Sequence, residues 1–411
     1  METVNAGHTE SPRMPTDTAA AIPFSGRKAG ALTFSILFTL ESFVRSLNAG
    51  VLSVQAYELL GSSRNVSVIM TMSSLGVLVT TLMLPYLMRR TRRRWTYTIG
   101  IALSMCAALM LASHTVAGQA AGTYLRNAGA SVMNVTLALY ILDHIHKSDY
   151  ARVEPMRLSF STVSWTIGPT LGLWLYTHMG PVAAQTAVLL AGLTLLTFFW
   201  IIRLGDPAKL PSGTLQPFNP LKNVGRFIEQ PRLRLAWSIA AARSVFWSSL
   251  FIYGPILLIE AGLNKTQGGY VISASQLLLP LALLSGYVAR RTSVRIVIAS
   301  AFALICVSSI LAGIVGASVP IVTVIFLLIG SVGATALDGV GAIPYMRAVR
   351  PRERREMTSV YRTFIEISDI VPGIVFAFAL SLFPTQIVYV LVGLLAAVMS
   401  FITWRHLPKS L

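Results

Sequence analysis

"M-R-R-T-R-R-R" (residues 88–94) places five arginines between two apolar stretches, and "A-R-R-T-S-V-R" (289–295) repeats the pattern about 200 positions later. A basic cluster between long hydrophobic segments reads as a loop held on one face of a bilayer. The match extends beyond the loop. "A-L-S-M-C" from Ala102 and "A-L-I-C" from Ala303 put a cysteine at nearly the same depth of the following segment, and Pro169 and Pro372 keep the offset. A constant offset across unrelated residue types is the mark of a parallel internal repeat.

Composition agrees with a membrane-embedded chain. Of 411 residues, 54% are apolar and 12% charged, with a mean hydropathy of +0.66. Stretches of about 20 apolar residues, the length that crosses a hydrocarbon core, recur along the chain. We read an all-α integral membrane protein of twelve transmembrane helices in two six-helix pseudo-symmetric halves. Residues 1–30 read as a disordered tail, 31–204 as the first half, 205–235 as a linker rich in Pro and charge, and 236–406 as the second half. Most of the 33 Lys and Arg fall on one side of these spans, with Arg64 and Lys265 on the other. That asymmetry predicts both termini in the cytoplasm, and the expected location is a bacterial inner membrane. The asymmetry also explains the net charge of +17 as topology and lipid contact, excluding nucleic acid as a partner. Cys106 and Cys306 lie within apolar spans and read as packing residues.

Two loops and one span resemble a known family. "P-Y-L-M-R-R-T-R-R-R" (85–94) is similar to the G-x-L-A-D-R-x-G-R-R loop of the major facilitator superfamily of transporters, keeping Leu87, Arg90, Arg93 and Arg94. It replaces the family Gly, Asp and second Gly with Pro85, Arg89 and Arg92. The second copy keeps Gly286, Ala289, Arg291 and Arg295. In the family this loop latches the two halves through its Asp; here positive-inside anchoring is the competing reading. "S-W-T-I-G-P-T-L-G-L" (164–173) resembles the fifth-span motif of family exporters through Gly168, Pro169 and Gly172. Ordinary close helix packing would use the same residues. The resemblance covers essentially the whole chain and implies that spans one, four, seven and ten line a central cavity.

Charge at bilayer depth costs roughly 2.5–3.5 kcal/mol per residue and defaults to a functional reading. Glu41, Arg45, Asn48 and Gln55 share one helical face, as do Arg362, Glu366, Asp369 and Gly373. Arg126 lies on a polar stripe of span four with Gln119 and Thr123, Arg243 stands one turn from Trp247, and Asp338 follows a run of small residues. Such stripes on several helices cannot all face lipid. We take Glu41, Arg45, Asn48, Arg126, Arg243, Trp247, Asp338, Glu366 and Asp369 as candidates for substrate contact or proton coupling. Glu41 and Arg45 are equally readable as a permanent pair that fixes packing.

No phosphate loop of the GxxxxGK[ST] type, no HExxH and no GxSxG occurs, which argues against an ATPase and against the common hydrolases. "D-H-I-H-K" (143–147) reads as a helix end, not a metal site. We expect no metal, no cofactor and no enzyme activity. The expectation is a monomeric secondary transporter whose partners are a small-molecule substrate, protons and the bilayer, with efflux of amphipathic compounds favoured. The alternative is uptake or exchange of an organic anion; more remote ones are a lipid flippase and a non-transporting sensor.

Overall fold

A computed structural model describes residues 30–144, 150–202, 220–349 and 354–408. The predicted tail before Gly30, residues 205–219 of the linker and residues 145–147 of the His-containing stretch lie outside the described residues. Everything described is helix or the short turns and bends between helices. The first half runs α1 (Ala31–Ser46), α2 (Val51–Leu60), α3 (Ser63–Arg90), α4 (Arg93–Ala112), α5 (Val116–His144) and α6 (Tyr150–Ile202). A short α7 (Pro220–Ile228) precedes the second half. That half comprises α8 (Pro231–Glu260), α9 (Lys265–Leu277), α10 (Leu281–Arg291), α11 (Val294–Val315), α12 (Pro320–Val340), α13 (Ile343–Ala348), α14 (Arg354–Arg362), α15 (Phe364–Ala379) and α16 (Ile387–His406).

The linker is therefore not wholly irregular. Residues 220–228 form α7, and α8 starts at Pro231, five positions before the predicted span. Proline suits that first position because its missing N–H would have no helical partner there. The long α6 reverses at Gly180, whose φ of 86° is open to glycine and costly for other residues. The helix continues through Pro169 without another non-helical residue. Eight segments among the described residues are long and apolar enough to cross a membrane. The eight omit α1 with α2, α5, and α14 with α15, and these helices carry Glu41, Arg45, Arg126, Glu366 and Asp369. The first span is divided by a turn at residues 47–50, and the eleventh at Thr363.

Outward faces carry exposed Leu82, Ile201, Ile314, Ile321 and Phe378, as a lipid-facing surface requires. Inside, the first half has its own core of Phe34, Leu37, Tyr97, Ile101, Tyr140 and Phe199. The second half has a core around Phe246, Phe302, Ile305 and Tyr389, which also takes in Ala56 and Val66 of the first half. The halves join where α2 packs on α8, α3 on α15, and α6 on α9. Along each helix, the joining contacts gather toward the end with the short turns 61–62 and 261–264. Ser67 donates to the Gly373 carbonyl (2.8 Å), Thr170 to Ser273 (2.8 Å) and Ser53 to the Phe251 carbonyl (3.3 Å). Glycine permits this closeness at Gly269, where a Cβ would stand 2.9 Å from the Pro169 carbonyl oxygen. Toward the opposite, arginine-rich end, a core around Leu233, Tyr345 and Tyr361 lies within the second half alone.

Candidate functional site

Glu41 has no exposed surface. The Tyr97 hydroxyl donates to its Oε2 (3.2 Å), and Arg45 reaches Oε1 across a looser 3.4 Å. Tyr97 lies on α4, so this carboxylate is turned into the first half. The rest of that polar face follows it inward. Asn48 exchanges two amide bonds with Gln185 (2.9 and 3.2 Å), Gln55 donates to the Leu111 carbonyl, and Gln119 donates to the Leu52 carbonyl. Asn48 thus cross-links α6 to the turn after α1, with its amide occupied. Arg45 differs: about a fifth of its side chain is exposed, and its guanidinium lies 5.7 Å from the ring centre of Trp165. Arg126 donates to the Arg45 carbonyl (2.9 Å) and to Asn127 Oδ1 (2.8 Å), while its buried Nε–H has no acceptor among the described residues. Among the described residues no carboxylate pairs with Arg126, and the charge acting on it is that of Arg45.

An aromatic row leads from there into the second half. Trp165 stacks on Phe251 with centres 5.8 Å apart and planes 7° from parallel, and Phe251 meets Trp247 at 5.9 Å. The Trp247 indole donates to Asp338 Oδ2 (3.1 Å), and Arg243 forms an ion pair with Oδ1 of the same carboxylate. Arg243, Trp247 and Asp338 are therefore one unit. Asp369 stands apart from it, accepting from Ser248 Oγ (2.5 Å) with Glu366 nearby. Glu366 is part-buried, and Arg362 on the preceding turn is exposed.

The motif residues have simple surroundings. Gly168 lies against Ser46 and Gly172 against the Leu47 backbone, where any side chain would collide; Pro169 touches α9 through its carbonyl. Arg90 is exposed at the end of α3, whereas Arg93 and Arg94 are part-buried at the start of α4. Arg94 and Arg295 each sit over a tryptophan, Trp200 and Trp404, at 6.0 and 4.6 Å. Arg291 lies over Tyr287 and is exposed, and a Cβ at Gly286 would meet only the tip of Arg290, at 3.9 Å.

The end with the turns 61–62 and 261–264, closed by the joining contacts, holds residues that the sequence reading passed over. Glu58 pairs with Lys265 across the two halves and accepts from the Tyr176 hydroxyl. Glu260 accepts from Thr385 Oγ1 (2.7 Å), which also bonds Ser63 Oγ (2.8 Å) on the other half. Glu58 and Glu260 stand at the repeat offset, as do Ser63 and Lys265. That offset was the available signal for them. Trp165 was likewise visible beside Gly168, but one tryptophan among apolar residues carries no positional signal.

A model of the Major Facilitator Superfamily matches residues 34–368. The chain belongs to that superfamily. No curated protein matches the sequence. Among solved structures, this transporter resembles a POT family transporter in complex with 5-aminolevulinic acid (TM-score 0.73, 13% identity, 92% of this chain and 96% of that one). It also resembles the nucleoside transporter NupG (0.66, 14%, 91% and 98%). A third neighbour is a bacterial homologue of the iron transporter ferroportin in an inward-facing state (0.69, 14%, 91% and 99%). At these identities the likeness is one of fold. The superfamily is one of membrane transporters rather than enzymes, and this member is a transporter of a small-molecule cargo.

Proposed function

We propose that this superfamily member is a proton-coupled secondary transporter of small amphipathic organic compounds. It would cross the membrane twelve times with both termini cytoplasmic. The observation that carries the reading is the row from Arg45 through Trp165, Phe251 and Trp247 to Asp338, which passes from one half to the other. Rocking of one half against the other would make or break the Trp165–Phe251 stack, so a molecule lying on it is sensed by both halves. Apolar rings bind the body of an amphipathic compound, and the charges at either end orient it.

Asp369 supports the proton role. Among the described residues no Lys or Arg pairs with it, so its carboxyl can take up or release a proton without breaking an ion pair. Glu41 is less free, being held by Tyr97 and Arg45. We favour export as the direction, on the fifth-span residues Gly168, Pro169 and Gly172. Purified protein in proteoliposomes with an imposed pH gradient tests the whole reading. A panel of amphipathic compounds should include some that move protons in a compound-dependent way. A panel that is transported with no proton movement, under any gradient, would overturn the coupling.

A further inference from the structure

We infer that the cargo is an amphipathic anion with an aromatic or similarly flat body, its charged group held between Arg45 and Arg126. The inference rests on the reading of the chain as a transporter loaded at this row, and specifies its chemistry.

The argument is one of unspent capacity. A guanidinium offers five N–H donors. Two Arg126 bonds are accounted for, to Asn127 Oδ1 and to the Arg45 carbonyl, and its buried Nε–H is unmatched. A buried donor without an acceptor costs about 1–3 kcal/mol, and an incoming carboxylate, sulfonate or phosphomonoester would relieve it. Arg45 stands beside it, and among the described residues its guanidinium has one polar partner, Glu41, at a long 3.4 Å. Arg157, stationed over Phe38, is a further guanidinium close to Glu41. Arg45 and Arg126 alone outnumber that one carboxylate, and an anionic group offsets the excess of positive charge at the end of the row.

The second half offers less to a cation. Asp338 has both oxygens occupied, by Arg243 and by the Trp247 indole. Binding an amine there would displace a partner already in place. Asp369 and Glu366 remain the competing site for an amine, and the test below addresses them directly. Between the charged ends lies an apolar surface three rings long, part-buried at each ring. Arg45 over Trp165 already shows a cation on that surface, so an anion drawn to Arg45 brings its own body against the row.

The experiment titrates the full chain in detergent with three probes of one shape and different charge: 1-naphthoate, 1-naphthylmethanol and 1-naphthylmethylamine. Calorimetry against empty micelles reads the affinity. Wild-type protein should bind naphthoate at least tenfold more tightly than the alcohol or the amine. Equal or tighter binding of the amine overturns the proposal, whatever any variant does. Arg126→Gln should lose tenfold or more in naphthoate affinity and Arg126→Lys less, while Trp165→Leu should weaken naphthoate with its melting temperature kept. Wild-type naphthoate affinity in a folded Arg126→Gln protein also overturns it. Counterflow in proteoliposomes separates the two levels. Naphthoate binding with no counterflow of any probe removes transport by way of this row and leaves the site. Counterflow of the amine or alcohol without naphthoate binding removes the site and leaves the transporter.

Discussion

At the residue scale, the internal charges divide into those already partnered and those with capacity left. Glu41, Asn48 and the Arg243–Asp338 pair are held by close partners, whereas Asp369 has a single hydroxyl donor and Arg126 an unmatched N–H. The division predicts opposite phenotypes for two carboxylates that look alike in sequence. Asp369→Asn should fold normally, retain exchange of substrate across vesicles and lose accumulation driven by a pH gradient. Retained gradient-driven accumulation would remove Asp369 from the coupling role. Glu41→Gln should instead lower stability by about 1–3 kcal/mol, the cost of taking a charge partner from buried donors, visible as earlier unfolding in detergent. The sequence showed that charges lay within the spans, because charge in an apolar run is conspicuous. It did not show which were partnered. Tyr97, Trp165, Ser248 and Gln185 supply or remove partners from other helices, and nothing local marks them.

At the element scale, the first helix and the fifth-span motif form one structure. α1 ends at Ser46, the chain turns through residues 47–50, and Gly172 on α6 lies against the Leu47 backbone. Backbone cannot give way as a flexible side chain can, so Gly172→Ala should separate the two helices at a cost of about 1–3 kcal/mol. Gly286→Ala is the matched control: its added methyl would meet only the tip of Arg290, at 3.9 Å. Thermal unfolding of both proteins decides the matter, and equal melting temperatures would refute the packing account. The apolar runs marked where helices lie, since the bilayer filters on length and hydropathy. The breaks at 47–50 and Thr363 were hidden, because no proline or charge stands at the turn in either place and tertiary packing decides them. α7 was hidden for another reason: nine residues within a Pro-rich stretch leave too short a pattern to read.

At the scale of the whole molecule, the repeat was legible from arginine, cysteine and proline positions. The way the halves meet was not legible, because each half closes on itself by local packing and the junction depends on pairs far apart in sequence. That junction is testable by covalent trapping. Ser63 and Thr385 share a 2.8 Å hydrogen bond across the halves. In a background lacking Cys106 and Cys306, Ser63→Cys with Thr385→Cys should cross-link under oxidation, stop transport, and recover with a reductant. Transport that continues through a complete cross-link would mean that this end does not open. The repeat is also imperfect at this end, and the imperfection has a consequence. Glu58 faces the ammonium of Lys265, whereas Glu260 is served by the hydroxyls of Thr385 and Tyr57. Lys265 is more than two-fifths exposed, and an exposed ion pair weakens as the Debye length falls from about 10 Å at 0.1 M salt to about 3 Å at 1 M. Hydroxyl bonds are nearly indifferent to that change. Ionic strength on the closed face should therefore loosen one side of the junction before the other, making salinity there a physical bias on the turnover cycle that salt at the arginine-rich face does not reproduce.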